Sequence, residues 1–203
     1  MRSLNTLSFE DRGSPAQRER RRRILEAATA LAAKGGFEQM QMRAVAERAD
    51  VALGTLYRYF PSKIHLLVSV LAQQFEVAAE NLARKSVPGD TAADRVMFVL
   101  GRTTQTLQRE PNLTEALTRA FMFADSTVAN EIHVVGLKLT TMLNRALQGD
   151  EYVEGSEPTD EDIAVARVIS DVWLAALVSW VTGRSTAAEV ADHLETAVRL
   201  ILR

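Results

Sequence analysis

Residues 42–63, MRAVAERADVALGTLYRYFPSK, read as two short helices joined by a tight turn. Leu56 and Phe60 stand four apart and share one helix face, and Leu53 joins them from a turn earlier. That face is expected to pack inward, as are Val45, Ala46 and Ala49 on the preceding helix. Gly54, Thr55, Arg58 and Tyr59 then point away, with Tyr57 on the border. A small apolar face, a turn at Asp50-Val51-Ala52 and a polar, aromatic outer face describe a helix-turn-helix.

The run Gly54-Thr55-Leu56-Tyr57-Arg58-Tyr59-Phe60, followed by Lys63, resembles the DNA-binding signature of the TetR family of bacterial repressors. Two positions depart from its commonest form. Asp50 stands where glycine is usual in the turn, and Ala52 where a serine would cap the recognition helix. Asp tolerates a left-handed backbone better than most residues, so the turn is expected to survive. The missing cap costs ~1 kcal/mol, which packing of Leu56 and Phe60 offsets.

Side-chain chemistry assigns roles on this face, and the resemblance places them at the same positions. Thr55 suits a base edge or a thymine methyl, and Gly54 lets the backbone come close to DNA. Tyr57 and Tyr59 offer hydroxyls to phosphates, while Leu53 and Arg58 complete the candidate face. Arg43 resembles the family's guanine-reading arginine, whose fork fits the O6/N7 edge. Lys63 falls in the first turn of the next helix, where free N–H groups favour a phosphate. Each residue alone fits a plain surface role; their joint spacing points to DNA.

Arg18, Arg20, Arg21 and Arg22, with Arg23, form a second basic element at the start of the first helix. They read as phosphate contacts or a minor-groove arm. The alternative is a solvated helix start partnered by Glu19 and Glu26. Charge is distributed accordingly: residues 1–63 carry +5 and residues 64–203 carry −7, within a net −2. A basic amino-terminal third on an acidic body suits phosphate binding by one end.

Farther out, the 203-residue chain reads as all-α, with about nine helices. Its five prolines fall at expected helix starts or in linkers, and Thr91/Asp94, Thr159/Asp162 and Thr186/Glu189 look like capping pairs. Residues 1–14 are expected to be a disordered tail and 15–75 the DNA-binding unit. Residues 76–203 form an effector-binding and dimerisation body, the boundary lying inside the fourth helix. No run of eighteen apolar residues or secretory signal is present, so no membrane is expected. Cysteine is absent, which excludes disulfides and thiolate metal sites and fits the bacterial cytoplasm.

A single helix-turn-helix reads few base pairs, so a homodimer on palindromic operator DNA is expected. The last two helices are the candidates for pairing, through Trp173, Ala176, Leu177 and Trp180 and through Val190, Leu194, Ala197, Val198 and Ile201. Both tryptophans fit the monomer core nearly as well. For an apolar effector the body supplies Met97, Phe98, Phe121, Met122, Met142 and Trp173 as candidate pocket residues. Core filling is the competing reading of each.

SPAQRERRRRILEAATALAAKGGFE, NLTEALTRAFMFAD and ARVISDVWLAALVSW resemble a branch of the TetR family that represses sterol catabolism in actinobacteria. The likeness implies release from DNA by a coenzyme A thioester of a steroid acid. Basic groups at the pocket mouth would then be needed, with Arg95, Arg102, Arg109 and Arg119 available. Rival readings are an efflux regulator sensing lipophilic cations and an architectural binder that senses nothing. An enzyme is not expected: His65, His133 and His193 lie on three helices without ligand spacing, and no catalytic residue, metal site or cofactor loop is recognised. His65 is expected to face solvent or phosphate.

Overall fold

In the computed structural model, residues 14–83 and 86–203 are described, so the expected tail lies outside them except for Ser14. Nine α-helices and two single 3-10 turns make up the described residues, with no strand among them. The order is α1 (Pro15–Gln39), α2 (Met42–Arg48), α3 (Leu53–Tyr59), α4 (Lys63–Ala83), α5 (Ala92–Arg109), α6 (Pro111–Met122), α7 (Ala129–Gln148), α8 (Asp160–Val181) and α9 (Ala187–Ile201). The all-α expectation holds.

Starts and stops follow local chemistry. Ser14 caps α1 in a reciprocal box with Gln17, ahead of Pro15 in the first turn. Thr91 with Asp94, Thr159 with Asp162 and Thr186 with Glu189 form the same box at α5, α8 and α9. The regular part of α1 ends at Lys34, because Gly35 and Gly36 leave helical geometry and Gly36 takes φ +67°. Ser62 Oγ accepts the His65 N–H at 3.3 Å and so caps α4.

α1 to α3 wrap the first half of α4 around Ile24, Ala28, Val45, Leu56, Phe60 and Leu67, all essentially inaccessible. The second half of α4 runs into the body and packs on α6 and α7. One helix therefore belongs to both halves of the molecule, and one continuous core links them.

Two expectations about the body need correction. Trp173 is 2% exposed and donates its indole N–H to Thr104 Oγ1 at 2.8 Å, so it belongs to the monomer core. Val190, Leu194 and Val198 are likewise buried, where α9 lies on α8 and α5. A dimer would need the opposite faces, where Ile163, Val168 and Leu200 are exposed. α8 is also long and apolar enough to cross a membrane, by length and composition alone. In the fold it is packed between α7 and α9.

Candidate functional site

The helix-turn-helix is set by how α2 ends. Asp50 takes φ +53°, and its N–H donates to the Glu47 carbonyl at 3.2 Å while the Val51 N–H donates to Ala46 at 3.0 Å. These two bonds make a Schellman motif with Asp50 in the left-handed position usually given to glycine. The turn survives as expected. α3 opens at Ala52 without a side-chain cap, and the Thr55 and Leu56 N–H groups donate to the Ala52 carbonyl instead.

Leu56 and Phe60 are buried, fixing the inward face of α3. The rest of the face departs from the reading above. At about 100° per residue from Leu56, Tyr59 falls nearer the buried side than Tyr57. Tyr59 is half-buried against the core, its ring 6.4 Å from Phe60, whereas Tyr57 is 46% exposed. Leu53, expected to face inward, is 38% exposed because it begins the helix at the open end of the turn. Gly54, Tyr57, Arg58 and Leu53 form the exposed surface of α3, Thr55 is half-buried, and Arg43, at the start of α2, is exposed and pairs with Glu47 at 3.6 Å.

The basic elements divide. Arg18 is exposed and Arg20 half-buried at the start of α1. Arg22 is bracketed by Glu19, at 2.6 Å, and by Glu26. The Arg21 guanidinium lies over the Phe60 ring at 4.9 Å. The partnered reading thus applies to Arg22. Lys63 begins α4, but its ammonium sits on the Phe37 ring at 4.1 Å rather than standing free. Burial holds it below the usual lysine range. His65 faces neither solvent nor an open surface; it is 8% exposed and bonded at both ring nitrogens.

The body holds two adjoining spaces. An outer cleft of about 540 Å³ opens between α4 and α5, lined by Val77, Ala78, Phe98, Arg102 and Met142 among others. An inner cavity of about 90 Å³ lies among α4, α6, α7 and α8, against Thr118, Phe121, Leu139 and Trp173. Leu71, Phe75 and Leu107 line both and form the wall between them. Of the residues offered for a pocket, Phe98 and Met142 line the outer cleft, and Phe121 and Trp173 the inner cavity. Met97 is half-buried and lines neither, and Met122 is 52% exposed at the end of α6.

Among the arginines offered for the mouth, only Arg102 lines the cleft, its guanidinium 5.8 Å from the Phe98 ring. Arg95 is spent on the Ala146 and Leu147 carbonyls ending α7, and Arg119 pairs with Glu38 and Glu115. Arg109 is exposed at the end of α5. Asp171 touches the inner cavity from an exposed position. Leu71 and Phe75 went unremarked because, four apart on an apolar stripe, they look like any core pair. No group of three His, Cys, Asp or Glu side chains among the described residues is arranged to hold a metal.

Comparison with known proteins decides the family. Residues 24–70 match the family of bacterial regulatory proteins, tetR family, and residues 89–201 the tetracyclin repressor-like C-terminal domain. The chain belongs to the TetR family. It is a DNA-binding transcriptional regulator of the KstR type. The chain is 54% identical to the HTH-type transcriptional repressor KstR of Rhodococcus jostii, over 97% of its own length and 89% of the relative's. Against KstR of Mycobacterium tuberculosis the identity is 49%, over 97% and 86%. A TetR regulator from Rhodococcus sp. RHA1 superposes with a TM-score of 0.83 at 32% identity, covering 92% of this chain and 97% of that one. Thermus thermophilus FadR, a TetR-family repressor solved with lauroyl-CoA, shares the fold at TM-score 0.68 and 21% identity, over 90% and 93%.

Proposed function

We propose that this TetR-family regulator represses sterol-catabolism genes in the bacterial cytoplasm and leaves its operator when the cleft takes a steroid-acid coenzyme A thioester. The cleft carries the reading. It is large and mostly apolar, continues toward an inner apolar cavity, and has an arginine on its wall. A fused ring system fits the apolar part, and Arg102 offers a cation to the phosphate-bearing end. Thermus thermophilus FadR, a repressor of the same fold solved with lauroyl-CoA, supports a coenzyme A thioester as the ligand class.

In this reading residues 15–75 form the DNA-reading unit and 76–203 the effector and dimerisation unit. Arg43, Gly54, Thr55, Tyr57 and Arg58 face the major groove, with Leu53 at its edge, and Arg18 and Arg20 meet phosphate. Tyr59 and Arg21 hold the reading helix from behind. Two copies pair through the outer faces of α8 and α9, setting the two α3 helices about one DNA turn (~34 Å) apart. A ligand that favours the non-binding spacing by ~3 kcal/mol lowers operator affinity more than a hundredfold.

Fluorescence anisotropy on promoter DNA tests this. A steroid-acid coenzyme A thioester should release the protein, while the free acid and free coenzyme A do not. Release by lipophilic cations instead would establish the efflux reading.

A further inference from the structure

α6 has two working faces. Thr114, Leu117, Thr118 and Phe121 line the inner cavity. Asn112, Glu115 and Arg119, spaced i, i+3 and i+7, form a polar stripe directed at the end of α1. Asn112 Nδ2 donates to the Ala33 and Lys34 carbonyls at 3.2 and 3.3 Å, the last of the regular helix. Glu115 Oε2 accepts the Phe37 N–H at 2.8 Å. A side chain at Gly36 would place its Cβ 2.9 Å from that oxygen, so the glycine lets the carboxylate close on the turn. Arg119 pairs with Glu38 at 2.8 Å and lays its guanidinium 4.5 Å from the Phe37 ring centre.

Phe37 receives a second cation. Lys63, the first residue of α4, sets its ammonium 4.1 Å from the same ring. One aromatic ring thus ties the effector body, the end of α1 and the start of the helix that follows α3. A parallel bridge lies two residues along α4: His65 Nε2 lies 3.0 Å from the Thr127 carbonyl. A carbonyl only accepts, so Nε2 carries the proton and Nδ1 accepts from the Ser62 hydroxyl.

We infer that Glu115 and Phe37 are positioning residues, and that the joint they form with Arg119 and Lys63 carries coupling between the body cavity and the DNA-reading unit. The inference rests on the proposed effector reading for its purpose, but its test needs no effector. Coupling is reciprocal, so operator binding at α3 must alter α6 through the same joint.

Hydrogen exchange on the full-length protein, with and without a duplex of its own promoter, reads this. In the wild-type protein operator should slow exchange several-fold both in α2–α3 and in residues 111–122. Glu115→Ala should keep the first effect and lose the second. Glu115→Gln, whose amide oxygen still accepts the Phe37 N–H, should restore it. Phe37→Leu, which keeps apolar volume but removes the ring faces, should repeat the loss should Glu115→Ala fold poorly. A wild-type α6 indifferent to operator, or a folded Glu115→Ala or Phe37→Leu protein with the wild-type response, would overturn the inference. Neither result bears on which ligand releases the repressor.

Discussion

Tyr57 and Tyr59 are two residues apart on a seven-residue helix, yet one is exposed and the other lies against the core. Tyr57→Ala should abolish specific operator binding while leaving the melting temperature within a degree or so. Tyr59→Ala should lower the melting temperature by several degrees, because it removes packing beside Phe60. Equal effects of the two substitutions on melting would contradict the assigned orientation of α3. Asp50 allows the opposite kind of test. Glycine there removes the side-chain cost of a left-handed backbone, so Asp50→Gly should stabilise by ~1 kcal/mol in urea unfolding. Among the described residues, the ion pair it breaks is a solvent-exposed one with Arg23 at 3.8 Å. Periodicity placed Leu56 and Phe60 correctly, since they sit at the centre of the buried face. Leu53 departs from it because it begins α3 at the open end of the turn, and Tyr59 was set outward although its helical angle from Leu56 places it nearer the buried side than Tyr57.

The helix starts were legible as elements because each capping box is written within four consecutive residues. Their carboxylates also carry a pH signature. Asp94 is held below the usual carboxylate range chiefly by the Thr91 hydroxyl, and Glu189 by the Thr186 N–H. A carboxylate depressed in the fold favours folding above its unfolded pKa, and that contribution disappears as pH falls through the lowered value. Thr91→Ala, which removes the hydroxyl beside Asp94, should therefore melt a degree or two below wild type at pH 7, with a gap that narrows on acidification below about pH 4. A gap independent of pH would show that the boxes act without their charges. The stripes on α8 and α9 were less legible. Val190, Leu194 and Val198 looked available for a partner, but the α5 and α8 surfaces inside the same chain claim them. Sequence spacing reports that a stripe is apolar and not which molecule covers it. Val168→Glu, on the exposed side of α8, should shift the protein to monomer in sedimentation velocity and weaken operator binding. A stable dimer in that variant would move the interface elsewhere.

At the scale of the molecule, the fold places a DNA-reading face at one end, an apolar cleft in the body, and α4 running through both. The family was legible from one 22-residue stretch. The cleft was not, since its walls combine one side of α4, one side of α5 and Met142 of α7, and nothing local distinguishes a lining phenylalanine from a core one. Arg102 was one of four arginines open to the same role, and only the fold separates it from Arg95 and Arg119, which are already engaged. In the proposed function, effector enters the cleft beside α4 and is felt at α3. Filling the cleft tests it most directly: Ala78→Trp, from α4 into the outer cleft, assayed by operator anisotropy against the steroid-acid coenzyme A thioester. The variant should keep wild-type operator affinity and show no release at concentrations that empty the wild-type complex. A folded Ala78→Trp protein released at the wild-type concentration would place the effector site elsewhere.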